Sequence, residues 1–120
     1  DNKQVISRTV PRKIKEIPLS KLTIDTVRQG MRLAVSSGTA GRLMYLKVPI
    51  AGKTGTAQTR SKRREDYSQH AWFVGYAPYD GPPEKAVAVA VFGEYGIAGA
   101  VGAVPIAEKI FAKMIALGYF

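Results

Sequence analysis

Cysteine is absent from the 120 residues, which excludes disulfides, thiolate metal sites and cysteine nucleophiles but leaves the redox compartment open. Histidine occurs once, at His70, and the nine carboxylates are scattered. That leaves no cluster with metal-ligand spacing, so neither a metal nor another cofactor is expected. The longest apolar run, Ala86 to Phe92, is far short of the roughly 20 residues a membrane helix needs. No charged segment followed by an apolar one opens the chain, so any targeting segment is expected to have been removed or to lie upstream of Asp1. Serine nucleophiles with a lysine base are missing too. The residues three places after each serine are Val10, Thr23, Thr39, Ala40, Arg64 and Ala71, none of them lysine. The one asparagine is Asn2, and one histidine near a basic stretch makes no Ser-His-Asp set.

What is present fits one domain with a real core, 46% hydrophobic and 22% charged, the balance of a soluble globular chain. Charge is lopsided. Residues 1–64 hold 15 of the 18 Lys and Arg against Asp1, Glu16 and Asp25, a net +12, while residues 65–120 sum to −3. Arg60-Ser61-Lys62-Arg63-Arg64 is the densest point, able to meet an anionic polymer or to lie as a solvated loop. No aromatic residues interleave it as single-strand nucleic-acid binders require.

Along the chain, residues 1–18 form an extended lead-in with β-leaning pieces at Gln4–Val10 and Ile14–Ile17, broken by Pro11 and Pro18. Ser20 or Thr23 can cap a helix whose core positions are Ile24, Val27, Met31 and Val35, with Arg28 and Arg32 outward and Gly30 explained by packing. Ser36 to Gly41 is a polar turn. Strands follow at 48–58, 71–77 and 86–92, the first two joined by a basic loop and the last two by Pro78-Tyr79-Asp80-Gly81-Pro82-Pro83. An antiparallel meander results, and the fold class is α+β. The Gly96 to Gly102 stretch, with no phosphate-binding glycine pattern, reads as a flexible connection. A final helix starts near Pro105, packs Ile106, Ile110, Phe111, Met114 and Leu117 on the sheet, points Glu108, Lys109 and Lys113 largely away, and stops at Gly118.

The chemistry concentrates in Val48-Pro49-Ile50-Ala51-Gly52-Lys53-Thr54-Gly55-Thr56-Ala57-Gln58. Gly52-Lys53-Thr54 matches the end of a phosphate loop, but that pattern needs glycine where Lys47 stands, and Pro49 interrupts the amide cradle. On a strand, period-two alternation puts the Thr54 and Thr56 hydroxyls on one face, and Gly55 lets a ligand approach the backbone. The stretch is then an anion-handling edge; the plainer alternative is a solvated lysine beside two ordinary β-forming threonines.

Lys53-Thr54-Gly55 after Ala51-Gly52, then Thr56-Ala57-Gln58, then His70-Ala71-Trp72-Phe73-Val74-Gly75-Tyr76-Ala77-Pro78, resembles the third motif and next strand of penicillin-binding transpeptidases, whose other motifs are S-x-x-K and S-D-N. Pro18-Leu19-Ser20, Val27-Arg28-Gln29-Gly30-Met31 and Gly38-Thr39-Ala40 narrow the resemblance to the elongation-type class B members, from about Ile17 to the C-terminus. It implies that residues 1–120 are the C-terminal portion of a transpeptidase domain, within the fold shared with serine β-lactamases. Lys53 would then place positive charge beside a catalytic serine. Thr54 and Thr56 would hold the carboxylate of a D-Ala-D-Ala stem peptide or a β-lactam, Gly55 would permit close approach, and the Thr56 amide would be one oxyanion-hole donor.

The resemblance also implies a periplasmic enzyme that cross-links peptidoglycan, anchored by an upstream transmembrane helix and working with the cell-wall elongation machinery. Nucleic acid is not an expected partner. With S-x-x-K and S-x-N outside the chain, the fragment alone should not acylate, and an apolar surface should be exposed where the missing part of the domain packs. The rival is a basic module binding an anionic polymer through Arg60–Arg64 and the N-terminal lysines. His70 reads as a loop anchor, and Trp72, Phe73 and Tyr76 as core and sheet packing.

Overall fold

Ser20 starts the first helix: its Oγ accepts the Thr23 N–H at 3.0 Å, and α1 runs over Lys21–Ser36. The computed structural model describes Val10 and residues 12–60 and 67–120. α1 is turned relative to the expectation from apolar spacing. Val35 is fully buried, but Ile24 and Val27 are exposed, and Arg28 and Arg32 face inward. Arg28 donates from Nε to the Tyr76 hydroxyl at 3.1 Å and from Nη2 to the Tyr79 carbonyl at 2.8 Å, while Arg32 donates to the Ile50 carbonyl at 2.8 Å. The end of a sheet presents carbonyls that need donors, and two long guanidinium side chains supply them. The Tyr76 hydrogen bond also holds Arg28 above its already high ordinary pKa. A Cβ on Gly30 would meet no atom within 4 Å, so packing among the described residues does not account for this glycine.

After a short 3-10 turn at Gly41–Tyr45 come β1 (Ala51–Arg60), β2 (Tyr67–Ala77) and β3 (Val87–Gly93), an antiparallel sheet in the order β1-β2-β3. The β1/β2 register runs unbroken from Ala51↔Tyr76 to Arg60↔Tyr67, and β2/β3 from Ala71↔Gly93 to Ala77↔Val87. Both β1 and β2 extend past their apolar stretches, because ladder hydrogen bonding carries the polar Gln58–Arg60 end as well. The first strand begins at Ala51, not residue 48. Arg60 is strand rather than loop; residues 61–66, with most of the basic cluster, lie outside the described residues, as do residues 1–9 and 11 of the lead-in. Ile14–Ile17 is neither strand nor helix.

One sheet face is the core. Ala71, Phe73, Gly75 and Ala77 of β2 and Val89 and Val91 of β3 are buried on it, with Leu43, Ile50, Val35 and the last helix closing around them. That helix, α2 (Val104–Ala116), uses Val104, Ala107 and Phe111, with Met114 partly buried, instead of the stripe through Ile106, Ile110 and Leu117, which are exposed. Both stripes have helical spacing, and only the small Ala107 lets the helix sit close. Pro105 is in its first turn, and Gly118 at φ 73° ends it, with the Gly118 and Tyr119 amides donating to Ile115 and Met114. Glu108 does not point away: it receives Arg42 Nε at 2.8 Å, joining α2 to the 3-10 turn. Because Arg42 is largely exposed, Arg42→Ala should cost under about 1 kcal/mol in urea unfolding, and less at high salt.

Candidate active site

Two glycines and one ring set the position of β1. The Phe73 ring is buried over the core face at Gly52 and Gly75; a Cβ on Gly52 would lie 2.4 Å from its Cζ and one on Gly75 2.6 Å. The Ala51-Gly52 pair before Lys53 is therefore fixed by core packing, and the strand leaves the core with its following residues in a defined register. β1 is an edge of the sheet among the described residues, so half of its backbone groups face away from β2.

Register then sorts the side chains. Thr54 and Thr56 pair with Phe73 and Ala71 and share the core face, at the sheet edge beside those buried residues; Lys53 and Gly55 pair with Val74 and Trp72 and share the open face. Thr54 is half-buried, whereas Lys53 and Thr56 are exposed. The Lys53 ammonium donates to the Thr54 carbonyl at 2.6 Å. The Thr54 hydroxyl lies 2.7 Å from the Thr39 hydroxyl, and the Thr56 hydroxyl accepts a long hydrogen bond of 3.4 Å from the Gly99 amide. The motif thus presents one cation, two hydroxyls and an edge backbone within four residues, an arrangement suited to holding an anion and polarising a group beside it.

Two further contributors carry no sequence signature of a role. Thr39 follows α1 in the polar turn and reaches across to β1. Gly99 opens a single π-helical turn, Gly99–Ala103, that leads directly into α2. The Gly96–Gly102 stretch is therefore not a flexible connection: a Cβ on Gly99 would lie 2.6 Å from the Gly55 carbonyl oxygen and 2.7 Å from that of Trp72, so the turn lies backbone on backbone against the motif. The available signal was smallness, since a run of Gly and Ala permits close backbone approach as readily as it permits motion.

His70 sits beside this region as an anchor. Its Nδ1 accepts the Tyr95 amide at 3.1 Å and its ring packs edge-on against Phe92 and Tyr95, with centroids 5.2 and 5.4 Å away. Tyr95 has φ 53°, a left-handed conformation that the His70 hydrogen bond helps to hold. Of the aromatics, Phe73 is core, but Trp72 is 39% and Phe92 50% exposed, their rings in contact at a 45° tilt with centroids 4.5 Å apart on the open face, with Val74 at 48%. Lys53 emerges next to this bare apolar strip.

Residues 2–115 match the family described as the penicillin binding protein transpeptidase domain. The peptidoglycan D,D-transpeptidase MrdA of Haemophilus influenzae is 41% identical over 71 residues, covering 51% of this chain and 10% of its own length. The MrdA of Acinetobacter baumannii is 36% identical over 95 residues, covering 71% of this chain and 14% of its own. Among solved structures, Pseudomonas aeruginosa PBP2 in complex with WCK 5153 superposes with a TM-score of 0.69 at 34% identity, over 87% of this chain and 22% of that one. The chain thus spans a small part of the length of the relatives it matches.

Proposed function

Because the chain belongs to the family of penicillin-binding protein transpeptidase domains, of the class B, penicillin-binding protein 2 type, we propose that it forms the substrate-carboxylate side of a peptidoglycan D,D-transpeptidase site. The enzyme cross-links stem peptides: a serine attacks the D-Ala-D-Ala carbonyl, D-Ala leaves, and an amine acceptor takes the acyl group. β-Lactams acylate the same serine. The observation that carries this reading is the pairing of the Thr54 and Thr56 hydroxyls on one face of an open sheet edge with the Lys53 ammonium on the next.

In this reading the hydroxyls of Thr54 and Thr56 hold the terminal carboxylate, and Gly55 lets the peptide lie against the strand. The Thr56 amide donates to the carbonyl oxygen as it becomes an oxyanion, a contact typically worth about 2.7 to 4 kcal/mol in rate. Lys53 contributes positive charge beside the nucleophile. The serine and its lysine base come from outside these 120 residues, since no S-x-x-K occurs in them. The open face with Trp72, Val74 and Phe92 next to Lys53 supports this division, because a bare apolar strip beside the cation is where the part bearing the nucleophile would pack. In the same reading the parent works at the periplasmic face of the inner membrane, held by a transmembrane helix upstream, in cell-wall elongation.

The test is labelling with a fluorescent penicillin. The full-length protein should be labelled covalently at a serine upstream of Asp1, while residues 1–120 alone stay unlabelled. Labelling of the isolated chain, or none of the full-length protein, overturns the reading.

A further inference from the structure

Thr39 stands in a turn that has no freedom to drift. A Cβ on Gly38 would lie 2.8 Å from the Ala34 Cα, so the turn is pressed onto the last turn of α1. On the other side Ala40 is fully buried, and its amide donates to the Ala34 carbonyl at 2.9 Å. Between these fixed neighbours, the Thr39 hydroxyl meets the Thr54 hydroxyl at 2.7 Å.

A hydroxyl has one proton and two lone pairs, and two facing hydroxyls share one proton between them. Either Thr39 donates and the Thr54 proton is left over, or the reverse. An anion at the edge of β1 accepts only, so it selects the first arrangement: Thr39 donates to Thr54, and Thr54 donates to the anion. Thr56 is set in the same sense, because the Gly99 amide occupies one of its lone pairs and leaves its O–H to donate outward. Hydrogen bonds in such a chain strengthen one another, and those ending on a charged acceptor are about twice as strong as neutral ones.

We propose that Thr39 is a positioning residue that commits the Thr54 hydroxyl as a donor, and so tunes the site to a free carboxylate over its uncharged ester. This rests on the assignment of Thr54 and Thr56 to the substrate carboxylate. Removing the Thr39 donor leaves the Thr54 proton free to rotate among other acceptors, which weakens the contact with an anion more than the contact with a neutral carbonyl.

The experiment measures second-order acylation rate constants of the full-length protein with benzylpenicillin and with its methyl ester. Thr39→Val should slow the acid about tenfold and the ester less than about twofold, and Thr39→Ser should return the acid to within about twofold of wild type. The acid-to-ester ratio is taken within each variant, so a reduced folded fraction cancels; Thr39→Ala replaces Thr39→Val should the latter not fold. Equal slowing of acid and ester, or no slowing of the acid, overturns the proposal while leaving the family reading intact. A wild-type protein that benzylpenicillin does not acylate overturns both.

Discussion

Gly99→Ala should destabilise the chain by about 3 kcal/mol and, in the full-length protein, slow acylation beyond what the lost folded fraction explains. Overpacking usually costs about 1–3 kcal/mol, and the upper end applies where the new methyl meets backbone instead of a flexible side chain. Here it meets two carbonyl oxygens, at 2.6 Å on Gly55 and 2.7 Å on Trp72, with the Gly55 nitrogen at 3.0 Å. Neither β1 nor β2 can yield easily, because their register is continuous on both sides of that point. What gives is the seating of the π-helical turn, and with it the Gly99 amide on Thr56 and the entry into α2. Urea unfolding checks the first part, and acylation rate per folded molecule the second. Gly30→Ala serves as the control: with nothing within 4 Å, the change should be neutral or raise stability by up to about 1 kcal/mol through helix propensity. An unchanged midpoint for Gly99→Ala would mean that the turn does not press on the motif.

This dependence was hidden in the sequence for a physical reason. Gly96 to Gly102 has the composition of a mobile linker and also of a tight backbone contact, and only the partner surface decides between them. The existence and order of the strands were easier, because runs of apolar and β-branched residues survive whatever packs on the sheet, but their faces were less so: Phe73 is core as its type suggests, whereas Trp72, expected to pack beside it, lies on the open face with Val74 and Phe92. Their ends were not, since hydrogen bonding to a neighbour extends β1 and β2 through residues with no apolar signal. Helix faces misled in one consistent way. In α1 the inward positions include two arginines, whose stems pack and whose heads cap carbonyls at the sheet end, so apolar spacing pointed to the wrong arc. In α2 the buried arc runs through Ala107, a residue too small to stand out against Ile106 and Ile110. The motif was legible in residue type and alternation, whereas Thr39 and Gly99, which touch it from elements 15 and 43 residues away, were not.

Lys53→Met in the full-length protein should slow acylation by benzylpenicillin about 100- to 1000-fold while moving the unfolding midpoint little. The two halves of this expectation come from separate features. Lys53 is exposed, on the open face of an edge strand, and among the described residues no carboxylate pairs with it, so folding does not depend on its charge. Exposed substitutions of this kind usually change stability by no more than about 0.5 kcal/mol, and methionine keeps the length of the stem. Catalysis is different: in the proposed acyl transfer, negative charge develops on the reacting carbonyl and passes through the nucleophile. A positive charge about 4 Å away stabilises it by about 1 kcal/mol in bulk water and about 4 kcal/mol at the effective dielectric of a protein surface. In the proposed assembly, the rest of the domain would cover the open face, remove water from around Lys53 and move the interaction toward the larger value. Its present partner, the Thr54 carbonyl at 2.6 Å, is a neutral acceptor that the ammonium can leave or share when a stronger one arrives. Stopped-flow acylation and a denaturant melt on the same preparation separate the two effects. A variant that melts early and acylates normally once folded would make Lys53 a structural residue and remove the cation from the site.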